Sequence, residues 1–161
     1  MRPSLTSRLR PLVPLLLAVA ALLGGARSAG AVQPRDLARD ERRGGHTLSR
    51  HVGRTDAELR ERLRREKGIS AASTYTDRAT AERAVTAAIV ASRKRIERWA
   101  SREGSRANLV VDWPGDGRVV GRSLRRGSRE PVPCTRAVVI LKWDVESEIY
   151  FVLTSYPEAS R

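Results

Sequence analysis

The stretch Gly44–Leu63, GGHTLSRHVGRTDAELRERL, holds both histidines of the chain and runs straight into a basic helix. Thr55, followed three residues later by Glu58, is a capping box: the hydroxyl serves a free backbone N–H of the first turn and the carboxylate reaches back. A helix therefore starts near Asp56. Leu59 and Leu63 lie four apart on one face, which packs inward, while Arg60, Glu61, Arg64 and Arg65 point mainly to solvent. Arg62 borders the apolar stripe, from where its guanidinium can reach into a cleft. His51 stands four residues before the cap, with Gly53 between them to let the backbone turn. A histidine in this basic setting is expected to titrate at or below about 6.5, which suits proton transfer at neutral pH. Spacing alone leaves both histidines open to two readings, proton-transfer groups or ordinary loop and core residues.

Toward the N-terminus, Arg2, Arg8 and Arg10 precede the apolar run Leu12–Leu23 and the small residues Ala29-Gly30-Ala31. This is the pattern of a signal peptide over residues 1–31, cleaved near Ala31-Val32, and it predicts a secreted protein. The apolar run is shorter than the about 20 residues of a membrane span, so an uncleaved anchor is the lesser alternative. Val32–Arg43 is charged and poor in apolar residues, and reads as a tether.

The whole chain carries 31 basic and 18 acidic residues, and removing residues 1–31 takes four arginines and no acid, leaving a formal charge of +9. Such a charge attracts polyanions, or is merely a solvated surface. One domain of this length buries a real core. Cys134 is the single cysteine, which excludes the disulfide-stapled small secreted folds. Its place after Pro133, at the threshold of an apolar run, marks a buried structural thiol.

Toward the C-terminus, the helix from Thr55 ends near Gly68, and Ser70–Thr76 reads as a short exposed linker anchored by Tyr75. Asp77 caps the longest helix, which is expected to run to about Arg102. Val85, Ile89, Ile96 and Trp99 form its buried stripe, with Ser92 in the gap. Asn108–Trp113 and Arg118–Leu124 read as a hairpin around Pro114-Gly115-Asp116-Gly117. A basic loop with Arg125, Arg126 and Arg129 leads to a central strand, Thr135–Trp143, and a last strand, Ile149–Ser155, stopped by Pro157. Helices first and strands after give an α+β fold, with N-terminal helices packed on a largely antiparallel sheet of about four strands. On the last strand, alternation sends Tyr150, Val152, Thr154 and Tyr156 to one face, so the hydroxyls of Thr154 and Tyr156 lie about 7 Å apart. Such a pair can hold a phosphate or donate to a leaving oxygen, or can simply reflect strand propensity.

The run GGHTLSRHVGRTDAELRERL, with ASTYTDRATAERAV, a helix ending in Trp99 and the terminal LTSYP, resembles the bacterial ribonuclease A-like toxin domain found at the C-termini of contact-dependent inhibition proteins. The similarity covers about Gly44–Pro157, so the toxin-like domain is taken as residues 44–161 after a charged linker over 32–43. The resemblance implies a ribonuclease with a ribonuclease A-like fold that lacks disulfides. It further implies an active site built from His51, Arg62, Thr154 and Tyr156. A 2′-hydroxyl of RNA would attack the adjacent phosphorus to give a 2′,3′-cyclic phosphate, with no metal or other cofactor required. His51 is then the proton-transfer group, Arg62 the phosphate clamp, and Thr154 and Tyr156 the orienting hydroxyls. Tyr156 and His46 compete for the role of second proton partner. His46, Arg125 and Arg126 are the further candidate contacts to the RNA substrate, tRNA included.

The resemblance also implies a cognate immunity protein, beside a monomeric chain with no stable membrane partner once the signal is removed. With only a signal peptide ahead of the toxin-like module, the chain is expected to be a small exported effector, released alone or passed on by separate machinery. Two other classes compete. A metal-dependent hydrolase would ligate through His46 and His51, with Asp40, Glu41 or Asp56 completing the set. A non-catalytic cationic protein would bind RNA or envelope polyanions through charge alone.

Overall fold

The computed structural model describes residues 32–159. The signal-peptide reading of residues 1–31 and its cleavage point therefore lie outside the described residues. The described chain is α+β, with five helices, mostly ahead of six strands that form two antiparallel three-stranded sheets. The α+β class is as expected, and the strand count is higher than the expected four.

The helix at the centre of the sequence reading is α3, Asp56–Arg65. Its capping box is closed from both sides: Glu58 N–H donates to Thr55 Oγ1 at 3.2 Å, and Thr55 N–H donates to Glu58 Oε2 at 2.7 Å. Leu59 and Leu63 are buried and join Ala72 and Leu124 in a small core under this helix. Asp77 caps α4, Arg78–Ala91, by accepting from Thr80 N–H at 2.7 Å. The expected single long helix is broken at Ser92, whose backbone (φ −101°, ψ 11°) leaves the helical region, and α5 continues as Arg93–Ala100. Serine offers its own backbone competing hydrogen bonds, which favours a break in helical sequence. Trp99 is core, its indole N–H donating to Ala107 O at 2.9 Å.

The tether assigned to Val32–Arg43 instead contains α1, Leu37–Glu41, with Leu37 and Asp40 buried. Its charges are used internally. Arg35 grips Asp40 with two parallel bonds, Nε to Oδ2 at 2.9 Å and Nη2 to Oδ1 at 2.6 Å, and also reaches Tyr150 O at 3.3 Å. Arg35 N–H donates to Thr86 Oγ1 at 2.7 Å, which straps the segment to α4. Charge content read alone suggested solvation, whereas paired charges of this kind can be packed.

The expected exposed linker Ser70–Thr76 is also corrected, because β1, Ala71–Tyr75, is a strand buried from Ala72 onward. It pairs with β3, Gly121–Arg125, which pairs in turn with β4, Val132–Cys134. The expected hairpin is therefore absent: β2, Leu109–Trp113, pairs with β5, Arg136–Asp144, and not with the Arg118–Leu124 segment. The turn region explains the choice. Gly115 has φ +85°, and a Cβ there would overlap the Thr135 carbonyl oxygen, so the connection is pressed against the start of β5 and passes on to the other sheet. Apolar pairing favours the same result, with Leu109 opposite Leu141 and Val111 opposite Val139. Cys134 is buried, and burial raises its thiol to about 11, in keeping with a structural role.

The last strand, β6, runs Ile149–Glu158, so Pro157 lies inside it and does not stop it. β6 is the edge of its sheet, where a residue without an N–H is tolerated. Its pairing with β5 slips by one residue: Leu141 faces Val152 and Ile140 faces Thr154, leaving Leu153 as a bulge. Val152 is in the main core, and Ser155 is buried against Tyr75, whose hydroxyl lies 2.6 Å away. Ser155 Oγ itself donates to Val138 O at 2.9 Å, so the phenol of Tyr75 is the donor to Ser155, and the two sheets are tied through that chain. The expected common face of Tyr150, Val152, Thr154 and Tyr156 is thus split, since the bulge leaves Thr154 and Tyr156 facing away from the core side that Val152 occupies.

If the N-terminal strap is structural, Leu37→Ala will lower the urea-derived stability by about 2–5 kcal/mol, as for other buried leucines. A change within about 0.5 kcal/mol would return the segment to a tether.

Candidate active site

A short helix that the sequence reading did not anticipate, α2, Thr47–His51, carries His51 as its last residue and begins after His46. It is docked on the bulge of β6, where His46 N–H donates to Leu153 O at 2.9 Å. Gly45 permits the approach, because a Cβ there would stand 2.5 Å from the Val152 carbonyl oxygen. At the other end Gly53 N–H donates to Tyr75 O at 3.1 Å and Arg54 N–H to Thr74 Oγ1 at 2.9 Å. His51 is thereby held between β1 and β6.

The imidazole is buried, with Nδ1 3.2 Å from the Ser73 carbonyl oxygen. A carbonyl only accepts, so Nδ1 carries the hydrogen and the lone pair of the neutral ring is left on Nε2. Arg62 Nη1 is 3.5 Å from the same Nδ1, and between two donors this is a charge contact, not a hydrogen bond. Burial first and the Arg62 charge second push His51 down to about 4, against a smaller opposing effect of the Ser73 carbonyl. His51 is therefore neutral at pH 7. Arg62 is steered by Glu66, whose Oε2 accepts from its Nε at 3.2 Å.

β6 supplies the opposite wall. The Tyr156 ring lies 5.5 Å from that of His51, centroid to centroid, and burial, then Glu158, raises its phenol above the usual range. Thr154 Oγ1 is buried with no hydrogen-bond partner among the described residues. An orphaned buried hydroxyl costs free energy and calls for an explanation. His46, Arg62 and Thr154 line the same cleft of about 450 Å³ as His51 and Tyr156. His46 also titrates below its usual value, through burial and then Arg50 and Arg62.

Four of the sequence-derived candidates and His46 thus converge, and two do not. Arg126 donates to Glu66 O at 2.8 Å and Ile69 O at 3.0 Å, closing the end of α3. Arg125 lines a neighbouring hollow with Ser128 and Glu130 that shares Ser123 with the cleft. The carboxylates that a two-histidine metal site would borrow are held elsewhere: Asp40 by Arg35, Glu41 by Ser49 N–H at 2.9 Å, and Asp56 by Arg122 at 2.6 Å. The cleft also contains Ser73, Ser123 and Glu158, which the sequence reading missed. Glu158 had a signal, as it follows Thr154 and Tyr156 at the same two-residue step, hidden by ending the strand at Pro157. The two serines had none, because they meet only through pairing of β1 with β3.

The family model described as the bacterial CdiA-CT RNase A domain matches residues 45–157. Among solved structures, the chain is similar to one from Y. kristensenii, the crystal structure of a CdiA-CT/CdiI complex. The two share 33% identity and superimpose with a TM-score of 0.62, over 71% of this chain and 99% of that one. No curated protein matches the chain. Sequence family and fold agree along the same stretch that builds the cleft, and the chain belongs to the bacterial CdiA-CT RNase A family of ribonuclease toxin domains.

Proposed function

We propose that this protein is an exported, metal-independent endoribonuclease toxin that cuts RNA by attack of a 2′-hydroxyl on the adjacent phosphorus. The observation that carries the reading is the meeting, in one cleft, of a neutral histidine, an arginine charge and two hydroxyls, one of them the orphaned Thr154 Oγ1. Nε2 of His51 takes the proton of the 2′-hydroxyl as the O2′–P bond forms. Arg62 neutralises the non-bridging oxygens, and Thr154 donates to one of them, which gives its hydroxyl a partner. Tyr156 is still a phenol at neutral pH and gives its proton to the 5′-oxygen as the P–O5′ bond breaks. The products are a 2′,3′-cyclic phosphate and a 5′-hydroxyl end, and proton return from His51 to Tyr156 through solvent resets the site. His46 flanks the reaction centre as a substrate contact, and Arg125, in the adjoining hollow, meets the strand farther along.

The pattern over residues 1–31 supports export with release near Ala31-Val32. The Y. kristensenii relative is a CdiA-CT/CdiI complex, which supports a cognate immunity protein for this chain too. A cell that makes a ribonuclease must neutralise what leaks. RNA, tRNA among it, is the substrate, and the protein acts as a monomer.

In excess EDTA the purified protein should leave cyclic-phosphate ends on total RNA, and His51→Ala should cut about 10²- to 10⁴-fold more slowly while still binding RNA. Equal cutting by both would remove His51 from the mechanism; binding by both without cutting would leave a cationic polyanion binder. Burial and Arg62 favour neutral His51, so its proton binds only below about pH 4. The acid limb of kcat/KM should accordingly fall near pH 4, and that of kcat at higher pH, since a bound phosphate anion favours the charged ring. Thr154→Val should slow cutting while leaving urea stability unchanged or raising it by about 1 kcal/mol, because it removes an unsatisfied buried hydroxyl.

A further inference from the structure

Glu158 is a carboxylate in a cleft fitted for a polyanion, and nothing in the proposed chemistry uses it. It ends β6 in the row Thr154, Tyr156, Glu158, opposite Ile140, Val138 and Arg136 in turn, so it stands one strand step, about 7 Å, beyond Tyr156. It is half-buried and, among the described residues, is the only acidic side chain lining the cleft. Arg136 is its cross-strand neighbour, yet Glu158 forms no ion pair among the described residues. Its charge is felt at Tyr156 and Cys134, both of whose protons it helps retain. Across the cleft floor, Ser73 and Ser123 face each other in the β1–β3 register, both about nine-tenths buried and both lining the cleft.

A free carboxylate this near a scissile phosphate repels it and tends to weaken RNA binding, unless a group with N–H donors lies against the carboxylate. A carboxylate is an acceptor only, with two oxygens side by side. Guanine presents two adjacent donors, N1–H and the N2 amino group, to such a pair. Adenine and cytosine place a ring acceptor nitrogen beside their amino group, and uracil flanks its single N–H with two carbonyl oxygens, so each sets an acceptor against the second carboxylate oxygen. A serine hydroxyl can donate to the O6 that completes the guanine edge. We infer that Glu158, with Ser73 and Ser123, forms a base-reading subsite that selects guanine next to the scissile phosphate. This inference rests on the ribonuclease reading above and assigns the specificity of that same cleft.

The test is partial digestion of random-sequence single-stranded RNA by the purified protein in excess EDTA, with the bases on either side of each cut read by sequencing. Guanine should be enriched about tenfold or more at one of those two positions. Glu158→Gln, which sets an amide donor against the guanine donors, should bring the enrichment below about twofold. Glu158→Asp should keep guanine ahead of the other bases, Ser123→Ala should reduce the enrichment in part, and Glu146→Gln in the exposed β5–β6 turn should leave it as in the wild type. An even distribution of bases in the wild type, or an enrichment that Glu158→Gln leaves intact, overturns the guanine subsite and leaves the ribonuclease standing. No cutting by the wild type overturns both.

Discussion

The extra residue in β6, Leu153, is the constraint on which the rest of the molecule turns. An unbulged strand gives every second residue to one face, so a strand that packs Val152 into the core would carry Thr154 and Tyr156 in with it. The one-residue slip places Val152 and Ser155 toward the core and leaves Thr154, Tyr156 and Glu158 for the cleft. The same slip presents the Leu153 carbonyl to His46 N–H, which seats the helix that carries His51. One irregularity thereby sets both walls of the site. Bulges beside functional sites commonly re-aim side chains in this way.

The polar groups on the two sides of β6 are treated differently. Facing the core, Tyr75, Ser155 and the Val138 carbonyl form a satisfied chain that joins the sheets without a disulfide. Facing the cleft, Thr154 Oγ1 has no partner among the described residues and His51 is held neutral by burial beside a fixed positive charge. Free energy lost at those two groups is the usual mark of a site arranged for a ligand and not for stability. The backbone around them is well anchored, through Gly53 and Arg54 to β1 and through His46 to β6.

The charge of the chain follows the same division. Much of the arginine content is committed to structure: Arg35 to Asp40, Arg122 to Asp56 and the Arg54 carbonyl, Arg126 to the carbonyls at the end of α3. Net charge by itself does not single out an arginine, while the structure sets Arg62 apart by its neighbour, His51.

What the sequence determined by itself is what acts over three or four residues. The Thr55–Glu58 box, the Asp77 cap, the inward Leu59 and Leu63, and the Trp99 and Ile96 stripe all stand as read, because caps and helix faces are set by near neighbours. His51, Arg62, Thr154 and Tyr156 were each legible from local chemistry, but only separated motifs matching a family in order joined them into one site; spacing left His51 and the Thr154–Tyr156 pair with an ordinary reading as well. The tertiary structure alone decided that Val32–Arg43 is a strap, that Ala71–Tyr75 is a buried strand, that β2 joins β5, and that β6 carries a bulge through to Glu158. Each of those depends on a partner well beyond the local turn: Thr86 for Arg35, Arg125 for Ala71, Thr135 for Gly115, Leu141 for Val152. A strand's partner and register are chosen by the whole buried surface that results, and no local stretch of chain contains that information.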